Sequence, residues 1–149
     1  MSEQNVEFVK GLYGAAEALD KQQLLEALPA LIEQSCDPEI EWFEDPQRAD
    51  SRIYRGHEGV LRSFTQWLEG FDEYGFVVED VIDCDDDVFV AAREEGRGRA
   101  SGAPVSSAIY QVLTFRNGKV LRFREFYDRS AALDAAGLSE ADLTASEKD

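Results

Sequence analysis

Two carboxylates in this chain stand where acid–base chemistry could use them. Asp45 follows Phe43 and Glu44 and precedes Pro46, closing a short run that starts at Ile40. A carboxyl at the end of an apolar strand wall is desolvated, which raises its pKa toward general-base range. The competing reading is that Asp45 caps the turn before Pro46 and faces water. Glu125 belongs to the alternating series Leu121, Phe123, Glu125, Tyr127, one face of a strand. A carboxylate turned into an apolar cavity needs a cation or a proton, and Arg93, Arg97 and Arg99 on the preceding strand pattern are the candidate cations.

Other motifs carry less. His57 is the sole histidine, so a multi-histidine metal site within one chain is excluded, and it sits at a helix start. Asp83, Asp85, Asp87 and Glu94 copy the spacing of a calcium loop, but Val88 stands where that loop needs glycine, so the segment reads as a hairpin turn with solvated acids. Gly96-Arg97-Gly98-Arg99 lacks the strand-to-helix context of a phosphate loop. No metal or cofactor is expected.

The elements that would position these groups follow from periodicity. Val6, Val9, Tyr13 and Ala16 predict a first helix, and Asp20 with Gln23 predicts a capping box for a second, which Pro29 should kink or restart. Val60, Phe64, Trp67 and Leu68 mark a third. Strands are predicted over 40–44, 76–84, 88–99, 105–115 and 120–127, with Asn117-Gly118 as a two-residue hairpin turn. A short helix over 130–136 ends at Gly137, with Asp128 as its cap. Helices first and antiparallel strands after is an α+β pattern. The expected architecture is a cone: a curved, mainly antiparallel sheet with three N-terminal-half helices on its concave face, enclosing a pocket. Glycines 96 and 98 are where the sheet would bend. A single domain spans 1–149, its ordered core about 5–137 and a polar tail from about 139.

This order of elements, with Phe43-Glu44-Asp45-Pro46, the segment 96–102 and the closing Arg124-Glu125-Phe126-Tyr127-Asp128-Arg129, resembles the SnoaL-like branch of the nuclear transport factor 2-like superfamily, over about Val6 to Gly137. That superfamily includes ketosteroid isomerases, polyketide cyclases, epoxide hydrolases, dehydratases and members without catalysis. The isomerase comparison implies Asp45 as base, Tyr13 on the first helix as oxyanion donor, and Gln111, within Tyr110-Gln111-Val112-Leu113-Thr114-Phe115, in place of the isomerase's acidic second donor. With alternate residues sharing a face, the pocket wall would comprise Phe43, Ile109, Leu113, Phe123, Glu125 and Tyr127, with Arg99 near Glu125.

The implied function is a cofactor-free isomerase- or cyclase-type step on a small hydrophobic carbonyl, polyketide-like or steroid-like compound. The alternatives are non-catalytic binding of such a compound and a dimeric scaffold of the same fold. Thirty-one acids against 15 bases leave a net charge of −16, which argues against nucleic acid and anionic membranes as partners. Residues 1–20 carry acids and no apolar core, and no run approaches the ~18 apolar residues of a membrane span. A cytoplasmic protein with Cys36 and Cys84 reduced is expected, and a homodimer through the outer sheet face.

Overall fold

Helical periodicity governs the first third of the chain. In the computed structural model, which describes residues 2–142, α1 (Ser2–Glu17) and α2 (Lys21–Ser35) follow one another across a short turn at 18–20. The predicted capping box is present: Asp20 Oδ1 accepts from the Gln23 amide at 2.8 Å and Gln23 Oε1 accepts from the Asp20 amide at 3.0 Å. The kink or restart expected at Pro29 does not divide the element. α2 continues through Pro29 as one helix, held by Leu24, Leu28 and Ile32 buried on one side.

The remaining elements are β1 (Cys36–Phe43), β2 (Ile53–Arg55), α3 (Gly56–Glu69), β3 (Phe71–Cys84), β4 (Asp87–Gly98), β5 (Pro104–Arg116), β6 (Lys119–Phe126) and α4 (Arg129–Ala136). The six strands make one open sheet in the order β2-β1-β6-β5-β4-β3. All neighbours are antiparallel except β1 and β6, which run parallel. Two hairpins bear the turn chemistry of their residues: Asn117 and Gly118 take φ of 52° and 77°, and Asp85 takes φ 66° between β3 and β4, where Asp83 Oδ1 accepts from its amide. Asp128 caps α4 by accepting from the Ala131 amide at 3.0 Å, and Gly137 ends it at φ 72°.

Two departures from the expected strands bear on the site. β2 is a three-residue edge strand, too short to announce itself by alternation, and it pairs Tyr54 with Trp42 of β1. β3 starts at Phe71, five residues before the predicted 76, because the Phe71–Gly98 end of the ladder bends rather than stops. A register shift lies between Phe71 and Glu73, opposite Gly98 and Arg97, and beside it a Cβ on Gly96 would stand 2.3 Å from the Glu73 carbonyl oxygen. Only glycine permits that approach.

Each face of the sheet has its own apolar layer. On the inner face Val9, Leu28, Ile32, Val60 and Leu68 from α1–α3 pack with Val88, Val90 and Leu113 of the sheet. On the outer face Phe89, Ala91, Tyr110, Val112 and Phe126 are covered by Ala132 and Leu133 of α4. The outer surface of β3 and β4 beyond α4 is charged, with Arg93 beside Glu79 and Arg97 beside Glu73, around a half-exposed Val77.

Candidate active site

Helices α1–α3 do not fill the inner side of the sheet. They leave a cavity of about 510 Å³, whose walls include Leu12, Leu28 and Ile32 from the helices and Ile40, Trp42, Ile109, Leu113 and Phe123 from the strands. Trp42 and Phe123, neighbours across the parallel β1–β6 ladder, stack with ring centroids 3.8 Å apart, and Phe64 meets Trp42 edge-on at 4.5 Å. The polar groups on this wall include Tyr13, Gln111, Glu125, Glu94 and Tyr74, with Glu44, Arg48, Asp50 and Arg52 from the segment after β1.

The helix α1 tyrosine and the β5 amide expected to act together do meet. The Tyr13 hydroxyl donates to Gln111 Oε1 at 2.5 Å. This contact orients the amide, with its oxygen toward Tyr13 and its NH₂ left to the cavity. Burial, and then the nearby Glu125 carboxylate, hold the Tyr13 pKa above the usual tyrosine range.

Directly opposite Gln111 in the β5–β6 register stands Glu125. It lines the cavity, and no hydrogen bond or ion pair of its carboxyl is found among the described residues. Burial pushes its pKa up to about 8, and the charges of Glu94 and Glu44 push in the same direction against the weaker pull of Arg48. These causes together favour its protonated form. Glu94, 4% exposed on β4, is the second inward carboxyl. Its Oε2 accepts from Trp67 Nε1 at 2.9 Å and from the Tyr74 hydroxyl at 2.5 Å. Burial still outweighs these donors and raises its pKa. The buried Tyr127 hydroxyl approaches Glu94 without closing a well-formed hydrogen bond.

Asp45 is placed elsewhere. It is buried, but away from the cavity wall: Oδ1 accepts from the Gln47 amide at 2.9 Å and Oδ2 from the Tyr127 amide at 2.8 Å. Its oxygens are engaged in tying the β1–β2 loop to the end of β6, so the geometry removes it from the place of a base. The cause is strand parity. Ile40, Trp42 and Glu44 look into the cavity, which sends Phe43 and Asp45 to the other side. The same rule corrects the arginines. On β4 the inward series is Val88, Val90, Ala92, Glu94, so Arg93 and Arg97 face outward and pair with Glu79 and Glu73. Arg99 lies exposed beyond β4, its Nη1 3.5 Å from the Glu69 carbonyl oxygen, and not in the pocket. Glu125 therefore lacks the arginine partner that was expected, and its burial favours the protonated form. Ile109, Leu113 and Phe123 are on the wall as expected, while Tyr127 packs behind it. A register irregularity between Thr114 and Phe115 turns Val120 inward in place of Leu121.

Glu94, Trp67 and Tyr74 were not foreseen as a unit. The inward β4 series, three small apolar residues and then a glutamate, was a readable sign of a buried carboxyl. The Trp67 and Tyr74 contacts join residues 20 or more apart and leave no local signature. His57 sits at the start of α3, where Nε2 donates to the Cys36 carbonyl at 2.9 Å. Both cysteines are free thiols, Cys36 on the cavity wall and Cys84 beside the outer layer. Among the described residues no three His, Cys, Asp or Glu side chains are grouped to share a metal ion, and no helix is long and apolar enough to cross a membrane.

A SnoaL-like domain family model matches residues 15–123. The chain belongs to the SnoaL-like family. Solved structures share its cone fold. A protein of Jannaschia sp. CCS1 provisionally called a SnoaL-like polyketide cyclase superposes with a TM-score of 0.72 at 23% identity, covering 93% of this chain and 94% of that one. An NTF2-like protein of Burkholderia thailandensis E264 gives 0.69 at 24% identity, over 91% and 98%. TerC, co-crystallized with polyporic acid, gives 0.64 at 18% identity, over 90% and 98%. No curated protein matches the sequence significantly. In this SnoaL-like chain the polar row Tyr13–Gln111–Glu125, with Glu94 near it, is what the shared fold has to offer for chemistry.

Proposed function

We propose that this SnoaL-like protein binds one small, mostly apolar oxygen-bearing molecule and moves a proton on it without a cofactor, as an isomerase- or cyclase-type enzyme. The observation that supports this most is Glu125: a carboxyl facing an apolar cavity, with no hydrogen-bond or ion-pair partner among the described residues, paired across the ladder with Gln111, whose amide oxygen is taken by Tyr13. Glu125 gives a proton to a ligand carbonyl or leaving oxygen, or takes one from an adjacent carbon once ionised. The Gln111 NH₂ donates to the oxygen on which charge develops. Apolar walls keep water out and keep both effects strong. Burial, and then the neighbouring Glu94 carboxyl that Trp67 and Tyr74 hold, favour the protonated form of Glu125. TerC's co-crystallization with polyporic acid is a precedent for a small organic acid in this fold.

The test is turnover and binding of enolisable aryl and alicyclic ketones with the wild type and Glu125→Gln. Proton exchange at the carbon next to the carbonyl, read by deuterium incorporation, should fall by about 10²-fold or more in the variant while ligand affinity holds. Equal exchange rates would dismiss the role of Glu125. One observation favours the alternative of binding without turnover: the Tyr13 hydroxyl is already spent on Gln111, leaving a single donor for an oxyanion. Tight ligand binding with no exchange above solvent background would select that reading. The cytoplasmic setting and a homodimer through the sheet face are parts of the same proposal.

A further inference from the structure

Beside the mouth of the cavity lies a second, smaller cleft between the edge strand and α3, lined by Arg52, Ile53, Tyr54, Arg55, Arg62 and Gln66. Arg52, Tyr54 and Gln66 border both spaces, so the cleft continues the cavity outward. Three guanidinium groups meet there in a chain whose acids outnumber its bases 31 to 15. Arg55 is engaged with Glu41 at 3.1 Å. Arg52 and Arg62 are exposed, and neither has a side-chain hydrogen bond or ion pair with a carboxylate among the described residues. Arg62 and Gln66 stand one turn apart on the same face of α3. Ile53, 47% exposed on the floor of the cleft, is among the large apolar side chains left open to solvent.

Unpaired arginines beside an exposed isoleucine, at the exit of an apolar cavity, suit one kind of ligand. We propose that the cleft is a carboxylate subsite, and that the ligand is an organic acid whose apolar body enters the cavity while its carboxylate rests between Arg52 and Arg62. This rests on the reading of the cavity as a small-molecule site and names the class of molecule that fills it. Guanidinium pairs a carboxylate through two parallel hydrogen bonds, which a methyl ester cannot accept with the same strength. The molecule's overall negative field repels a free acid, so a preference for acid over ester has to come from a local basic site.

The experiment compares 11-(dansylamino)undecanoic acid with its methyl ester by fluorescence titration. At 20 mM salt the wild type should bind the acid roughly tenfold more tightly than the ester, a preference that shrinks at 0.5 M salt. In Arg52→Gln/Arg62→Gln the acid should fall to the affinity of the ester, and the ester should bind as before. Equal affinities in the wild type, or a preference that survives in the double variant, would overturn the subsite and leave the cavity reading intact. Failure of both probes to bind would reject the subsite and the cavity reading together.

Discussion

Glu125 and Asp45 show how two carboxyls of one chain are given different work by what surrounds them. Asp45 accepts two backbone N–H bonds and pins a loop; Glu125 is left to the cavity. Asp45→Ala should therefore cost stability, about 1–3 kcal/mol for two stranded buried donors, seen as a lower urea midpoint, with proton exchange per folded molecule little changed. Glu125 acts on stability in the opposite sense. Its folded pKa of about 8 lies above the usual 4.5, so the unfolded chain releases the proton first as pH rises. Between those two values the folded state loses stability with increasing pH, by up to about 1.4 kcal/mol per unit from this one group. Glu125→Gln should flatten that part of the stability-versus-pH curve and melt higher than wild type at pH 8.

At the scale of elements, the local signals were the ones written in neighbouring residues: the Asp20–Gln23 box, the Asn117-Gly118 turn, the Asp128 cap and Gly137. What sequence spacing left open was which face of a strand looks inward. In β1 and the two residues after it, Ile40/Trp42/Glu44 and Glu41/Phe43/Asp45 each contain an aromatic and at least one carboxyl, and only packing against α3 and β6 chooses between them. The Asp-Pro motif drew the expectation to the other series, whereas on β5 the inward series Ile109, Gln111, Leu113 leaves Tyr110 and Val112 to the outer layer under α4. Gly96→Ala tests the bend in β3–β4: its new methyl meets a carbonyl oxygen that cannot move without breaking the ladder, so a loss of about 1–3 kcal/mol is expected in thermal unfolding. Pro29→Ala tests the continuity of α2. With the exposed ring replaced by a residue that has an N–H, the helix should gain stability, up to about 3 kcal/mol, and circular dichroism melting should report it.

For the whole molecule, the family and its cone were legible because the sequence of helices and hairpins leaves few ways to close an α+β layer. The candidate site was less so, since part of it is Trp67, Tyr74 and Glu94 brought together from distant segments. Net charge adds a general effect: with 16 excess negative charges, self-repulsion destabilises the compact state, and raising salt from 20 to 200 mM should increase the melting temperature by screening it. The outer face carries the proposal of a homodimer. Because α4 already covers its apolar half, we propose contact through the β3–β4 surface around Val77. Sedimentation equilibrium should then show a dimer that Val77→Lys dissociates.

The strands on the sheet side of the cavity are tied to one another by backbone pairing. Every ladder bond from β1 to β6 joins amide to carbonyl, and none of them depends on whether position 92, 109, 113 or 123 is Ala, Ile, Leu or Phe. Exchanging such side chains reshapes the chamber without redrawing the scaffold. A lineage built on this plan can change what it accepts by small steps in wall volume while the proton-bearing row stays where it is, and laboratory evolution toward a new guest has the same short path open to it.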